Sequence, residues 1–528
     1  MSLVILTIII ITILIVYIIL DVIRVQKIKI VSVLPEFDNL RLSPDGLMRI
    51  YEYLRDSSLI PSGIELTEDY VLEELSDIIE YINTRYDCSD FWCQLLFRLY
   101  KDFGGRLSPK VRDLIKKTFL DFKFWMDQPG DDSMCYWSEN HTLLFATLEF
   151  LFGQEWSDEI FSNSKLTGKE HMKQGKDRIM YWVDQKFKFG FFEWYSNNYF
   201  NEDLGPLAQL IDYAEDEEVR ICAIEVTNLL LFEVVTHCIG NRFCVVSSRL
   251  YSDNKASNQF GNRIKGVLNA LFYDDFKYDA IKESELLAID THMVGCFLGM
   301  LRNGKYKIPR ILKDIALDPT TRIIKSSNGL DPEEYKDLGL IGQHNYQIIA
   351  QYSNEIFVNP GFSRNTYKFY KRNNMFTNFF SFPLKYADIG IVRFLQILPL
   401  LSKLDKKFMP TGIALSRGNV YTYRTKDYML STAVKCHLDY CGTQHHVALA
   451  TIRDDLNVFT LYPTTFKLVA TPGYWTGNRR MPMSVQDEAI NLTIFKIAKR
   501  KRLGEFKNFK MTHTLFPKEK FNEFRGHL

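Results

Sequence analysis

A chain of 528 residues, 46% of them hydrophobic, is long enough to bury a large core and to divide into two or three domains. Its 65 basic and 64 acidic residues leave a net charge of +1, which argues against a nucleic-acid groove or a polyanion-coating surface. Nine cysteines without a CxxC, and with no His/Cys group at zinc-finger spacing, exclude a disulfide scaffold and read as mostly buried thiols, with Cys88–Cys93 and Cys436–Cys441 close enough in sequence to bridge.

Taken in order, Ser2 to Leu20 carries no charged side chain and is long enough to cross a lipid bilayer. It lacks a basic leader and a small-residue cleavage site, so an uncleaved, single-pass membrane anchor is expected. Arg24, Lys27 and Lys29 follow, and by the positive-inside rule they favour a cytoplasmic body. Residues 1–30 are thus the anchor and its basic flank, and 31–66, punctuated by Pro35, Pro44 and Pro61, an extended linker.

From Thr67 the apolar period becomes 3.6, with Val71, Leu72, Leu75, Ile78, Ile79 and Ile82 on one face. Ser108 and Pro109 open the next helix as N-cap and N1, and Pro129-Gly130 should stop it. Further helices are predicted over 134–154, 168–189 (Ile179, Trp182, Val183 and Phe187 inward), 203–214, 217–239, 261–273, 284–301, 340–352 and 387–404. No strand pattern alternates with them, so 67–408 is expected to be an all-α domain of helical hairpins. Beyond 409 the period changes to two. Val420–Arg424, Val447–Ile452, Val458–Tyr462, Phe466–Ala470 and Ile490–Ile497 read as strands, with turns at Pro472-Gly473 and Gly477-Asn478. Residues 409–528 are therefore expected to form an antiparallel β-sandwich.

The chemistry centres on the stretch from Met134 to Gln154. As one helix it would present Tyr136 and Asn140 at i, i+4 on one face and Trp137 and His141 on the next, with Glu139 between. Two other polar clusters fall between hairpins. Glu193, Trp194, Tyr195, Asn197, Asn198, Tyr199 and Asp203 form one, and Ser247 to Lys255, with Arg249 and Tyr251, the other. If the hairpins close into a ring, these loops line one cleft. Its amides, imidazole, guanidinium and phenols suit β-elimination at a uronic acid. Amide or guanidinium donors neutralise the carboxylate and so acidify the α-proton, a His or Tyr removes it, and a Tyr protonates the leaving oxygen. No metal or other cofactor is needed when side chains neutralise the carboxylate.

Asn140-His141, the later Arg249 and Tyr251 in VVSSRLYS, and the stretches GTQHHVALAT (Gly442–Thr451) and TPGYWTGN (Thr471–Asn478) carry a resemblance. Over roughly 70–500 the chain resembles the toroid polysaccharide lyases of the alginate, chondroitin and heparinase II/III types, and in particular an uncharacterised heparinase-like branch. The resemblance implies an incomplete (α/α) toroid packed on a β-sandwich. It makes Asn140 and Arg249 carboxylate neutralisers, His141 a base and Tyr251 an acid/base, with His446 leaning from the sandwich into the cleft. Tyr136, Trp137, Glu139, Glu193, Trp194, Tyr195, Asn197, Asn198 and Tyr199 would bind an acidic polysaccharide or glycosaminoglycan-like glycan. Ser138-Glu139 stand where the alginate-lyase pattern has another amide, and Arg249 and Tyr251 are more closely spaced than in that pattern. The choice of base among His141, Tyr251 and Tyr195 stays open. Two other readings stand beside this one. An inverting hydrolase of toroid type would use carboxylates from Glu139, Glu193 and Asp203 about 6.5–9.5 Å apart. A non-catalytic glycan-binding or envelope protein would keep only the scaffold.

Overall fold

The computed structural model describes residues 3–27, 45–239, 242–251, 264, 267–269, 292–359, 361–373, 375–378, 389–390, 417–438, 440, 442, 444–452, 456–464, 474–498 and 509–518. Within them the chain is a mixture of helices and antiparallel sheet, preceded by one long apolar helix. That helix, α1 (Leu3–Gln26), leaves its Ile and Leu side chains bare, Ile13 by 64%, and is apolar enough over Ile5–Gln26 to cross a membrane.

Eight helices follow before the first strand: α2 (Asp45–Arg55), α3 (Glu68–Asn83), α4 (Ser89–Phe103), α5 (Pro109–Leu120), α6 (Glu139–Glu155), α7 (Gly168–Phe189), α8 (Tyr199–Tyr213) and α9 (Glu217–Thr236). The start signals act as expected. Thr67 accepts from Tyr70 N (3.2 Å) and Ser108 from Val111 N (3.3 Å), each satisfying an N–H that the first turn leaves open. Helix α5 ends at Leu120, well before Pro129-Gly130, because the following Phe122, Phe124 and Trp125 turn under into the core and Gln128 accepts from Phe124 N (2.8 Å).

Helix α6 is apolar nearly all round and is buried on every side, as such a helix must be. It packs along α7 at a separation only glycine allows. A Cβ at Gly175 would stand 2.5 Å from Phe150 N, and one at Gly153 would stand 2.4 Å from Met172 N. Gly175→Ala is therefore expected to cost about 1–3 kcal/mol by overpacking. A lowered urea midpoint reports this, and an unchanged midpoint would mean that the crossing can open. On α7, Ile179, Trp182 and Val183 face inward as expected, but Phe187 is 55% exposed, one turn too far round.

After α9 come two two-residue strands, β1 (Cys238–Ile239) and β2 (Arg242–Phe243), then α10 (His292–Asn303) and α11 (Arg310–Leu317). The 67–408 segment is not all-α. Strand β3 (Arg322–Asn328) leaves the helices and joins the C-terminal sheet, pairing from Arg322↔Arg424 to Asn328↔Gly418. Helices α12 (Glu334–Asp337), α13 (Asn345–Ser353) and α14 (Ser363–Arg372) then return to the helical body. The sheet adds β4 (Gly418–Arg424), β5 (Tyr428–Ala433), β6 (Ala448–Ile452) and β7 (Leu456–Leu461). A two-stranded ribbon, β8 (Met483–Asp487) with β9 (Ile490–Ile494), and β10 (His513–Leu515) complete the strands. The six-stranded order is β10-β7-β6-β5-β4-β3, antiparallel throughout, and the ribbon touches β5 through Thr432 and Gln486 (2.6 Å). The helices expected near 261–273 and 387–404 lie almost wholly outside the described residues. The strand at Phe466–Ala470, the turn at Pro472-Gly473 and Cys441 lie outside them as well. Cys88, Cys93 and Cys436 form no disulfide.

Helices and sheet meet along a tight seam. The fully buried Trp194 lies against Gly418, where a Cβ would stand 2.4 Å from the indole, and Arg424 donates to the carbonyls of Cys238 (2.6 Å) and Ala316 (2.9 Å).

Candidate functional site

Helix α6 begins at Glu139, so Tyr136 and Trp137 precede it in extended chain and do not share its faces with Asn140 and His141. The N-cap, Ser138, sits at φ 90° and its hydroxyl accepts from His141 N (3.4 Å). Its own N–H donates to the Tyr352 carbonyl (3.0 Å), and Thr142 meets Ser353 (2.8 Å). These bonds fix the end of α13 over the mouth of α6 and bring in Glu355.

Arg249 is set by its backbone neighbours. Ser247 and His446 exchange N–H···O bonds (2.9 and 3.2 Å), and Leu250 donates to Gln444 (3.2 Å). Ser248 donates to Trp194 (3.2 Å), and the Ser196 hydroxyl donates to the Arg249 carbonyl (2.6 Å). Held this way, Arg249 Nη1 donates to both Glu193 Oε1 and Glu355 Oε1 (2.6 Å each), while Asn140 Nδ2 donates to Glu193 Oε2 (2.9 Å). The guanidinium lies 4.2 Å from the Tyr199 ring centre, and the Tyr199 and Tyr251 hydroxyls are hydrogen-bonded. His141 Nδ1 is bonded to Asp90 Oδ2 (2.6 Å), a residue of α4. Asn140, His141, Arg249 and Tyr251 are thus gathered around the N-terminus of α6, with Trp137, Arg249 and Tyr251 only half-buried and the remainder buried.

The electrostatics follow from burial and these pairings. Burial disfavours the charge on Arg249, but Glu355, Tyr199 and Glu193 more than offset it and push its pKa up. Burial raises the Glu355 carboxyl, with Arg249 opposing, and lifts the Tyr199 phenol well above its ordinary value, again against Arg249. At His141 burial opposes protonation, yet Asp90 and Asp87 outweigh it and the imidazole pKa rises. A carboxylate on Nδ1 fixes the ring so that Nε2 is the nitrogen left for chemistry. That combination of oriented imidazole, paired phenols, amide and guanidinium supports proton transfer beside an anionic group. No protein-family model, curated protein or solved structure matches this chain.

The other expected site residues take structural positions. Glu139 is sealed off, accepting from Phe192 N (2.9 Å) and Glu193 N (2.8 Å) and pairing with Lys186. Tyr195, at φ 54°, donates to Ser326 (2.6 Å) on β3 and does not share a helix with Tyr199. Trp194 packs in the seam, and Asn197 and Asn198 are buried at the start of α8. Tyr136 is fully buried, 4.6 Å from the Phe145 ring. His446 Nε2 meets the Trp475 carbonyl (3.0 Å) and its ring packs on Phe459, so it anchors the strand that positions Arg249. Asp203 is fully buried, and burial followed by Glu193 pushes its carboxyl well up.

Asp90 and Glu355 were missed by sequence reasoning. Asp90 stands in the first turn of α4, 51 positions from His141, and Glu355 is 106 positions from Arg249. No local spacing signals either partnership. Among the described residues, a second feature adjoins His141: Asp87, Cys88 and the imidazole could together hold a metal ion.

Proposed function

We propose that this chain is a membrane-anchored, polysaccharide lyase-like protein that cleaves a uronate-containing glycan by β-elimination. In this reading the helical hairpins are an incomplete (α/α) toroid, the sheet is one layer of a β-sandwich, and α1 is a single-pass anchor whose basic flank favours a cytoplasmic body. The observation that carries it is the Asp90-oriented His141 beside Asn140, Arg249 and the Tyr199–Tyr251 pair. His141 takes the proton α to the uronate carboxylate, and Tyr251 returns one to the departing glycosidic oxygen. Asn140 and Arg249 hold the carboxylate, which takes the place of Glu355 against the guanidinium.

The inverting-hydrolase reading has less support. Glu139 is saturated and Asp203 is fully buried, while Glu193 and Glu355 share a single Arg249 nitrogen, each 2.6 Å from it. Their bonded oxygens are therefore closer than the roughly 6.5–9.5 Å that leaves room for an attacking water. One observation favours a non-catalytic glycan-binding scaffold: Arg249 is already flanked by two carboxylates of its own chain. Incubation with a panel of acidic glycans separates the readings. New ultraviolet absorbance from an unsaturated uronate is expected. Reducing ends without that absorbance would mean hydrolysis, and neither signal from folded protein would leave binding alone.

A further inference from the structure

Where the N-termini of α4 and α6 meet, one ligand atom from each of Asp87, Cys88 and His141 lies within 4.8 Å of the other two. We propose that these three side chains form a binding site for a borderline-soft divalent cation of the zinc type, and that its occupancy takes His141 out of service as a base. The second half rests on the lyase reading above; the first does not.

The donor set selects the ion. A thiolate, an imidazole and a carboxylate suit zinc or cobalt, whereas calcium and magnesium favour oxygen alone. Three protein ligands leave the fourth tetrahedral position open. The surroundings are those a metal-binding histidine requires. Asp90 accepts from Nδ1–H, the carboxylate–histidine arrangement that fixes the ring of metal-binding histidines and raises their basicity. The Phe91 ring, edge-on at 5.1 Å, restricts the imidazole further.

Two features beside the donor set favour a cation here. Asp87 Oδ1 and Asp90 Oδ1 are buried and have no hydrogen-bond partner among the described residues, an arrangement that costs free energy unless a cation or water meets them. Cys88 is held at φ 67°, a left-handed conformation unusual for a side-chain-bearing residue, at the N-cap of α4. Its backbone is tied down on both sides, by the Tyr81 hydroxyl on the Asp87 carbonyl (2.5 Å) and by Ser89 N on the Tyr86 carbonyl (3.1 Å). In that conformation the Cys88 thiol lies within 4.8 Å of a carboxylate oxygen of Asp87 and a ring nitrogen of His141. Asp87 and Cys88 are half-buried. On binding, the thiol proton leaves to solvent, and the cation offsets the negative charge of Asp87, Asp90 and the new thiolate.

The test uses the full chain in detergent micelles, stripped with a chelator and then loaded with zinc or cobalt. One zinc per chain should survive desalting, and the cobalt form should show a thiolate-to-metal charge-transfer band. Cys88→Ser should abolish that band with the far-ultraviolet circular dichroism unchanged, and Asp90→Asn should weaken zinc binding about 10–100-fold. Zinc retained by Cys88→Ser at wild-type affinity, or no zinc retained by the folded wild type, overturns the site. Asp87→Asn supplies the same readout if the cysteine variant fails to fold. In a separate arm, zinc should suppress any lyase activity and a chelator restore it. Activity indifferent to bound zinc removes the inhibitory role while leaving the site. Absence of lyase activity rejects the lyase reading and does not touch the metal measurements.

Discussion

On the lyase reading proposed above, replacing His141 with alanine should lower β-elimination by about 10²–10⁴-fold, the usual contribution of a positioned base. The change also leaves the buried Asp90 carboxylate without its imidazole partner, so the unfolding midpoint should fall, and far-ultraviolet circular dichroism of the folded variant is the control that separates lost chemistry from lost structure. The pH profile supplies the sharper test. A base must be neutral to act, so kcat/KM rises with pH through the imidazole pKa. Burial alone would lower that pKa below 6.5, but Asp90 and Asp87 raise it above, placing the rising limb on the alkaline side of 6.5. Asp90→Asn removes the largest raising contribution and leaves burial, so the limb should move to lower pH and the maximal rate fall as the ring loses its orientation. The same pair bears on stability. Its folded-state pKa is raised, so its contribution is fully present below 6.5 and disappears as pH climbs through the folded-state value. A limb that stays put in Asp90→Asn would show that another group is the base, with Tyr251 the next to test.

Glu139→Ala should produce the largest loss of stability of any single change at the site, about 3–5 kcal/mol, as expected when one partner of a buried ion pair is removed. The carboxylate is completely buried, holds Lys186, and accepts from Phe192 N and Glu193 N. Its loss removes the carboxylate that holds the buried Lys186, whose pKa burial already lowers to about 7 against Asp203 and Glu193, and leaves two unsatisfied amides on the loop that carries Glu193. That loop also positions Arg249, so activity should fall with stability. Glu139→Leu combined with Lys186→Met should recover only part of the stability, because the buried lysine is gone while the Phe192 and Glu193 amides stay unsatisfied. The measurement is the urea midpoint of the transition that includes α6 and α7. A cost below about 1 kcal/mol, typical of a solvent-screened pair, would show that the pair is not sealed in as described.

Glu139 also shows how far reading residue types can go. A carboxylate beside an Asn-His pair is chemically suited to bind a sugar, but whether it faces a cleft or a lysine is a matter of which helix packs across it. Asn140 meets Arg249 through Glu193 and His141 is bonded to Asp90, while Tyr195, Trp194 and His446 are taken up by the seam between helices and sheet. Their aromatic and polar character serves the seam as well as it would a ligand, so composition could not separate the two.

What the sequence determines by itself is local. The apolar run of α1, the Thr67 and Ser108-Pro109 starts, α7 over 168–189 and the period-two strands of β4, β6 and β7 all follow from hydrophobic spacing and capping within a few residues. Tertiary structure decided the remainder. Helix α4 hides its period because Gln94 and Arg98 are buried with it, Gln94 through its carbonyl to Gln209 and Arg98 through its guanidinium to Asp212, more than a hundred positions away. Strand β3 exists through pairing with β4, and Asp90 and Glu355 acquire their roles only when α4 and the end of α13 are carried to the mouth of α6. Such pairings are long-range hydrogen bonds and ion pairs whose partners are set by burial, and burial is a property of the packed chain that no short window of residues contains.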